Sequence, residues 1–197
     1  MFPFFSLAGF PDSHSGKLRK KQRSNIVLRR LVEEWTGLPG TTLKSFDDSY
    51  QARRVIYTVG HSTRRLEGLV KLLKKHGIDL VVDVRRFPTS SKYPDFKREK
   101  LSKVLEEKGI QYVWLGELLG GYREGGYEAY MKTDGYKRGL EKLLRIIRGF
   151  KRPAIMCSEK LWFRCHRRFI SDSLVKLGFE VIHIIDEEHT YRHRGRG

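Results

Sequence analysis

Residues 156–170, MCSEKLWFRCHRRFI, join the end of an apolar run to the start of a helical pattern through a short polar loop. Apolar residues fill 153–157, and beyond the loop they recur on one helical face as Phe169, Ile170, Leu174 and Leu177. This order predicts a strand, a loop and a helix, the repeating unit of an α/β domain. Two cysteines, a histidine, a glutamate and three arginines lie within the twelve residues 157–168. Their convergence favours a functional site over a buried thiol beside a solvated basic turn.

Four further apolar runs have the length and composition of strands, at 55–59, 79–84, 110–115 and 179–185. Helical patterns lie between the runs, at 63–76, 97–108, 127–132, 136–148 and 165–177. Strands that alternate with helices predict a parallel sheet with right-handed crossovers. We therefore expect one α/β domain over 53–185, three-layered and Rossmann-like, with five mostly parallel strands and helices on both faces.

The two ends of the chain depart from this pattern. Residues 1–52 are typical of a basic N-terminal arm with one short helix over 25–35 and a linker, and residues 186–197 of a polar tail. No apolar run approaches the roughly 18 residues of a membrane span. The apolar start lacks the pattern of a signal peptide. With only two cysteines, the chain is predicted to be cytoplasmic with reduced thiols.

Composition adds two expectations. One Asn, three Gln and 32% charged residues indicate a thermophilic source. Because intracellular disulfides occur in such organisms, a Cys157–Cys165 disulfide remains an alternative to two reduced thiols. The formal net charge is +17, and the excess of Lys and Arg is spread through the chain. Such a surface favours nucleic acid or a nucleotide as partner, because phosphate chains release counterions when bound. A generally basic proteome would give the same charge.

Polar residues follow the predicted strands at their carboxyl ends, where open α/β sheets bind ligands. The candidate catalytic groups are Cys165, His61, Asp83, Glu117 and Glu159, with Cys157 and Ser62 beside them. The candidate anion-binding groups are Arg85, Arg164, His166 and Arg167. We expect all of them around one cleft. Each also has a structural alternative: His61 and Ser62 could cap a helix, Asp83 could pair with Arg85, and Glu117 could cap a turn.

Five motifs in order resemble a known family. They are YTVGHS at 57–62, VDVR at 82–85 with Pro88 after it, LGELLGG at 115–121, MCSE at 156–159 and CHR at 165–167. This set is similar to the domain-of-unknown-function family 488 over about residues 54–185. Ser158 stands where such proteins usually have Ala. The resemblance implies one compact α/β domain in which the motifs gather, and it brings no settled activity.

Three function classes fit these residues. The first, which we favour, is an enzyme acting on a phosphate-bearing substrate, nucleotide or nucleic acid, by hydrolytic or transfer chemistry. Neighbouring cations and a helix N-terminus should lower the pKa of the Cys165 thiol below its free value of about 8.5. No Cys-x5-Arg phosphate loop is present to support a phosphatase.

The second class is a non-catalytic nucleic-acid-binding protein, favoured by the charge and by aromatic residues among the bases. The third is a metal site from Cys157, Cys165, His166 and His61. Its spacing matches no recognised zinc pattern, and adjacent Cys and His rarely bind one ion, so we assign no metal ligands. No Walker motif and no G-x-G-x-x-G motif is present, so no cofactor is expected.

Overall fold

The computed structural model describes residues 55–89 and 93–195. Its strands are β1 Val55–Gly60, β2 Leu80–Asp83, β3 Gln111–Trp114, β4 Pro153–Cys157, β5 Glu180–Ile184 and β6 Thr190–Arg192. Its α-helices are α1 Leu66–Lys75, α2 Arg98–Glu107, α3 Gly116–Leu119, α4 Tyr127–Tyr130, α5 Asp134–Ile147 and α6 Arg167–Lys176. Two 3-10 turns lie at Pro94–Phe96 and Trp162–Arg164. The predicted basic arm, its helix and its linker lie outside the described residues.

The six strands form one sheet in the order β3-β2-β4-β1-β5-β6. Every neighbouring pair is parallel except β5 and β6. The chain steps from β1 past β4 to β2 and β3, then returns to β4 and crosses β1 to reach β5. The direction of connection therefore reverses between β1 and β4, the switch point at which such sheets bind ligands. The predicted α/β, mostly parallel, Rossmann-like architecture is confirmed.

Helices cover both faces of the sheet, because successive strand side chains point to opposite faces and both sets are apolar. On the first face, Val59, Val81 and Met156 pack with the apolar sides of α1 and α2 in one core. Their alternate neighbours Ile56 and Val82 are buried on the second face, which α3, α5 and α6 cover. None of the described helices is both long enough and apolar enough to span a membrane.

The C-terminal segment differs from the prediction of a polar tail. Thr190–Arg192 pairs with β5 as an antiparallel sixth strand, so the sheet has six strands, not the expected five. The side chains of this strand are exposed, so the sequence has no alternation of apolar and polar residues from which the strand could be predicted. His193, directly after the strand, is buried and holds the segment against the domain.

A chain of hydrogen bonds explains why His193 is buried. Its Nε2 lies 2.8 Å from Oδ1 of Asp172, and its Nδ1 lies 2.9 Å from Nε2 of His183. Nδ1 of His183 in turn lies 2.7 Å from Oγ1 of Thr58, which accepts from Nη1 of Arg167 at 3.0 Å. Burial lowers the pKa of His183 to about 2, so its ring is neutral and can accept at one nitrogen and donate at the other. The chain links β6, β5, β1 and α6.

The start of α1 also corrects the sequence analysis. The helix begins at Leu66 with Arg65 at its N-cap position, and no side chain caps it. Capping of this helix by Ser62 is therefore wrong. Ser62 instead adopts a φ of 52°, in the left-handed region that few residues other than glycine occupy.

We expect His193→Ala to lower the free energy of unfolding by about 1–3 kcal/mol, because it leaves His183 and Asp172 without their partner. Urea denaturation would measure the change. His189→Ala is the matched control: this histidine pairs with Asp186 at 2.8 Å in solvent, where an ion pair adds little. Equal stability of the two variants would contradict a structural role for the C-terminal segment.

Candidate functional site

Three side chains, Cys157, Cys165 and His166, converge beyond the carboxyl end of β4, and we call them the thiol cluster. Their ligand atoms all lie within 4.8 Å of one another. Nδ1 of His166 lies 3.7 Å from Sγ of Cys165 and 4.0 Å from Sγ of Cys157. Cys157 is the last residue of β4, and the turn over Trp162–Arg164 brings Cys165 and His166 back to it just before α6.

The ring of His166 has an assignable tautomer. Nε2 lies 3.1 Å from the carbonyl oxygen of Val84, which can only accept a hydrogen bond. Nε2 therefore carries the proton in the neutral ring, and the lone pair of Nδ1 faces the two thiols. Gly121 lies against the same atom, because a Cβ at this glycine would be 3.0 Å from Nδ1.

The two thiols differ in acidity. A hydrogen bond from Cys157, with the charge of Arg167, lowers the pKa of the Cys165 thiol well below its usual value, although burial opposes this. The backbone N–H of Arg167, at the start of α6, also points at Sγ of Cys165 at 3.5 Å. Cys157 keeps its proton, since the hydrogen bond it donates and its burial raise its pKa. The direction for Cys165 is the one expected from the sequence.

A second polar cluster lies on the opposite face of the sheet. Asp83 and Arg85 form a buried ion pair, with Nη2 of Arg85 2.6 Å from Oδ2 of Asp83. Tyr112 donates to the same carboxylate oxygen at 2.7 Å. His61 stacks on Phe96, with ring centroids 4.1 Å apart, and its Nε2 lies 3.5 Å from Nη1 of Arg85.

Strand parity separates the two clusters. Val81 and Met156 both belong to the core of the first face. Asp83 lies two residues after Val81, whereas Cys157 lies one residue after Met156. Successive residues of a strand point to opposite faces, so Asp83 is on the first face and Cys157 on the second. The expectation that His61, Asp83 and Cys165 surround one cleft is therefore wrong.

The groups of the second cluster are occupied by one another. Arg85 donates to Asp83 through Nη2 and to the carbonyl oxygen of Phe96 through Nη1, at 2.8 Å. Its predicted anion-binding role therefore does not fit. Burial, followed by the nearby charge of Arg85, lowers the pKa of His61 to about 4, so its ring is neutral at about pH 7. Tyr112 was missed by the sequence analysis, because a tyrosine in an apolar strand gives no sign of its partner.

The remaining predicted residues lie near the thiol cluster or at the same edge of the sheet. Arg167 is buried, and it donates to Thr58 and to the carbonyl oxygen of Glu159. Oε1 of Glu159 accepts from the backbone of Leu161 at 3.2 Å. Glu117 and Arg164 are exposed. The structure does not bring either carboxylate into the thiol cluster.

The backbone closes the switch point between the two clusters. The ladder of β1 and β4 continues past the strands, as His61 N–H donates to Cys157 and Ser62 N–H to Ser158, at 3.0 and 2.7 Å. A Cβ at Gly60 would collide with the carbonyl group of Glu159, so only glycine fits between the two loops. The crevice expected at this point is thus filled by backbone. The polar side chains lie on either side of it, in the two clusters.

Aromatic and cationic side chains lie on the loops that follow β2, α3 and β4, and most of them are exposed. We call Arg86, Phe87, Tyr122, Lys160, Phe163 and Arg164 the edge surface. The Tyr122 side chain is 92% exposed, Phe87 68% and Phe163 47%. The backbone of Arg86 lies against Gly120, and Gly121 lies against His166, so the loops after β2 and β3 meet beside the cluster.

One surface cavity of about 530 Å³ lies elsewhere, on α5. It is lined by Leu118, Arg138, Glu141, Lys142, Arg145 and Ile146, and contains no member of the thiol cluster. We place the chemistry at the cluster and not in this cavity, because the cavity brings together no nucleophile and base.

The thiol cluster offers two kinds of chemistry. A thiolate beside an imidazole lone pair can attack an electrophile, with the imidazole taking or returning a proton. Two sulfur atoms and one imidazole nitrogen at these separations can also bind a soft divalent metal ion. Both require the Cys165 thiolate and the Nδ1 lone pair of His166.

Comparison with known proteins supports the family resemblance. The family model described as "Domain of unknown function DUF488" matches residues 65–174, more than half of the chain. The match includes the thiol cluster and Asp83, and leaves out the Gly-His-Ser motif at 60–62. Neither a curated protein nor a solved structure matches the chain.

In chelator-treated protein, we expect the rate of iodoacetamide labelling at Cys165 to stay nearly constant from about pH 5 to about pH 8, because the thiolate is already fully formed. Labelling of Cys157 should rise with pH. Trypsin cuts after Lys160 and Arg164, so mass spectrometry can follow the two cysteines in separate peptides. A Cys165 rate that rises about tenfold per pH unit, as for a free thiol, would contradict the lowered pKa.

Asp83→Asn should lower the free energy of unfolding by about 3–5 kcal/mol, since it leaves Arg85 charged and buried without its partner. Urea denaturation would measure this. Asp95→Asn is the control, because Asp95 pairs with Lys100 at 2.6 Å on the surface. If Asp83→Asn unfolds at the same urea concentration as the wild type, Asp83 is not the structural acid that its contacts indicate.

Proposed function

The chain belongs to the DUF488 family of domains of unknown function, and from that starting point we propose that it is an enzyme acting on a phosphate-bearing substrate, with the thiol cluster as its reactive centre. The substrate class that best fits the surface is single-stranded nucleic acid or a nucleotide. The observation that carries the proposal is the contact of Gly121 with Nδ1 of His166, because Gly121 precedes the exposed ring of Tyr122.

The thiol cluster supports the choice of reactive centre. It combines an acidic thiol, a second thiol and an imidazole lone pair. In the other cluster, Arg85 already donates to Asp83 and to the carbonyl oxygen of Phe96. Perturbed acidity that has a specific cause, at the end of a strand, is typical of catalytic groups. His166 is only partly buried, so a substrate on the edge surface can approach the cluster from its side.

The edge surface supports the choice of substrate. Proteins that bind single strands combine cations that follow the backbone with aromatic rings on which bases stack. Phe87, Tyr122 and Phe163 are exposed rings, and Arg86, Lys160 and Arg164 lie among them. The net charge of +17 adds long-range attraction for a polyanion. Glu117 and Glu159 at the same edge reduce the local positive charge and remain candidates for acid–base work.

A second candidate function is nucleic-acid binding without catalysis. It is favoured by the burial of both thiols, each of which is only 6% exposed. In that case the cluster would stabilise the loops that present the edge surface.

We expect Tyr122→Ala to weaken binding of a fluorescein-labelled single-stranded oligonucleotide by roughly 5-fold to 100-fold, as expected for the loss of one stacked base. Fluorescence anisotropy at low salt would measure the affinity. Tyr122→Phe is the matched control, because it keeps the ring on which a base would stack. Arg164→Ala should weaken binding and its salt dependence, while Lys108→Ala at the end of α2 should not.

Turnover separates the two candidate functions. Incubated with a mixed single-stranded oligonucleotide pool and followed by mass spectrometry, the wild type should convert substrate, and Cys165→Ser should bind equally well but convert none. Binding without conversion by the wild type would favour the non-catalytic function. Equal affinity of the Tyr122→Ala and Tyr122→Phe variants would remove the edge surface from the proposal.

A further inference from the structure

We propose that the thiol cluster binds one zinc ion, held by Sγ of Cys157, Sγ of Cys165 and Nδ1 of His166. This inference rests on the proposed function only in placing the chemistry at the same cluster; the identity of the substrate does not enter it. From the sequence alone a metal is disfavoured, because Cys165 and His166 are adjacent and adjacent residues rarely bind one ion. The fold removes that objection, because Cys165 is extended and His166 is helical, so both side chains turn toward Cys157.

The separations fit a tetrahedral ion. Bonds of about 2.3 Å to sulfur and about 2.0 Å to nitrogen place sulfur and nitrogen about 3.6 Å apart at a tetrahedral zinc. The two sulfur-to-Nδ1 distances are 3.7 and 4.0 Å. A contraction of a few tenths of an ångström would bring both sulfur-to-nitrogen distances to that value. Thiolate and imidazole are also the donors that zinc prefers.

The surroundings hold the ligands in the orientation that zinc requires. A zinc-binding histidine commonly donates its other N–H to a backbone carbonyl, and Val84 accepts that hydrogen bond here at 3.1 Å. The backbone N–H of Arg167 points at Sγ of Cys165, a contact that stabilises a ligating thiolate. Two thiolates balance the two charges of zinc, so the loaded site adds no net charge to a buried position.

The cluster supplies three of the four ligands that a tetrahedral zinc ion takes. Within residues 55–89 and 93–195, no further Cys, His, Asp or Glu joins the cluster. Gly121 approaches the ring of His166 closely, since a Cβ at this position would lie 3.0 Å from Nδ1. Three protein ligands and one open position are the pattern of catalytic rather than structural zinc, in which water or substrate completes the tetrahedron.

The test is the metal content of the intact chain. Protein dialysed against trace zinc should retain about one zinc per chain by mass spectrometry of metals. Replacement by Co²⁺ should produce a thiolate-to-cobalt charge-transfer band in the near ultraviolet, which reports sulfur ligands directly. His166→Ala should lower the zinc affinity at least about tenfold, as expected for loss of a ligand. His189→Ala, which removes an exposed histidine, should leave the affinity unchanged.

Gly121→Ala crowds the proposed site without replacing a ligand. Gly121 does not need a left-handed backbone, so the added methyl group acts only through its contact with Nδ1 of His166. We expect it to weaken zinc binding and to displace any exogenous fourth ligand, seen as a changed cobalt spectrum. If cysteine variants fail to fold, the cobalt spectrum of the wild type still decides the question.

The inference is overturned if the folded wild type binds no zinc and shows no thiolate band with Co²⁺. It is also overturned if His166→Ala binds zinc as tightly as His189→Ala, which would place the metal elsewhere. Either result leaves the proposed function standing with Cys165 as a free thiolate nucleophile. Conversely, zinc binding with no conversion of oligonucleotides would reject the proposed function and keep the metal site.

Discussion

The backbone ladder between β1 and β4 is the constraint on which the site depends. It runs past the ends of both strands, through His61 to Cys157 and Ser62 to Ser158, and the absent side chain of Gly60 lets the two loops touch. A side chain at this glycine would separate the loops and open the crevice at the switch point. Because the ladder closes that crevice, polar groups that follow the strands are divided between the two faces of the sheet.

The two resulting clusters differ in what they leave unused. Asp83, Arg85 and Tyr112 satisfy one another, so their charges and hydrogen bonds stabilise the first face and offer little to a ligand. In the thiol cluster, Val84 and the N–H of Arg167 fix the orientation of His166 and Cys165, yet the lone pair of Nδ1 faces only sulfur. A lone pair aimed at two thiols has value chiefly in proton transfer or in metal binding.

The location of the cluster connects it to the edge surface. Gly120 and Gly121 allow the loop after α3 to approach the loop after β2 and the start of α6. The same loop presents Tyr122 to solvent with a φ of 57°, a conformation that non-glycine residues seldom adopt and that the surrounding contacts must maintain. Tyr122, on which we propose that a base stacks, directly follows Gly121, which approaches the ring of His166. This connection unites the proposed substrate with the proposed zinc ion.

The sequence by itself determined the α/β class and the order of the elements up to β5, and it predicted that Cys157, Cys165 and His166 belong to one site. Periodicity reports which residues are buried in each strand and helix, and that information is local. It could not show that His61 and Asp83 lie on the other face, because the relative position of the clusters follows from strand order and register. Nor could it show β6 or the partners of Tyr112 and His193, whose exposed or isolated side chains carry no periodic signal. Only the tertiary structure decided these points, since each depends on hydrogen bonds between residues distant in the chain.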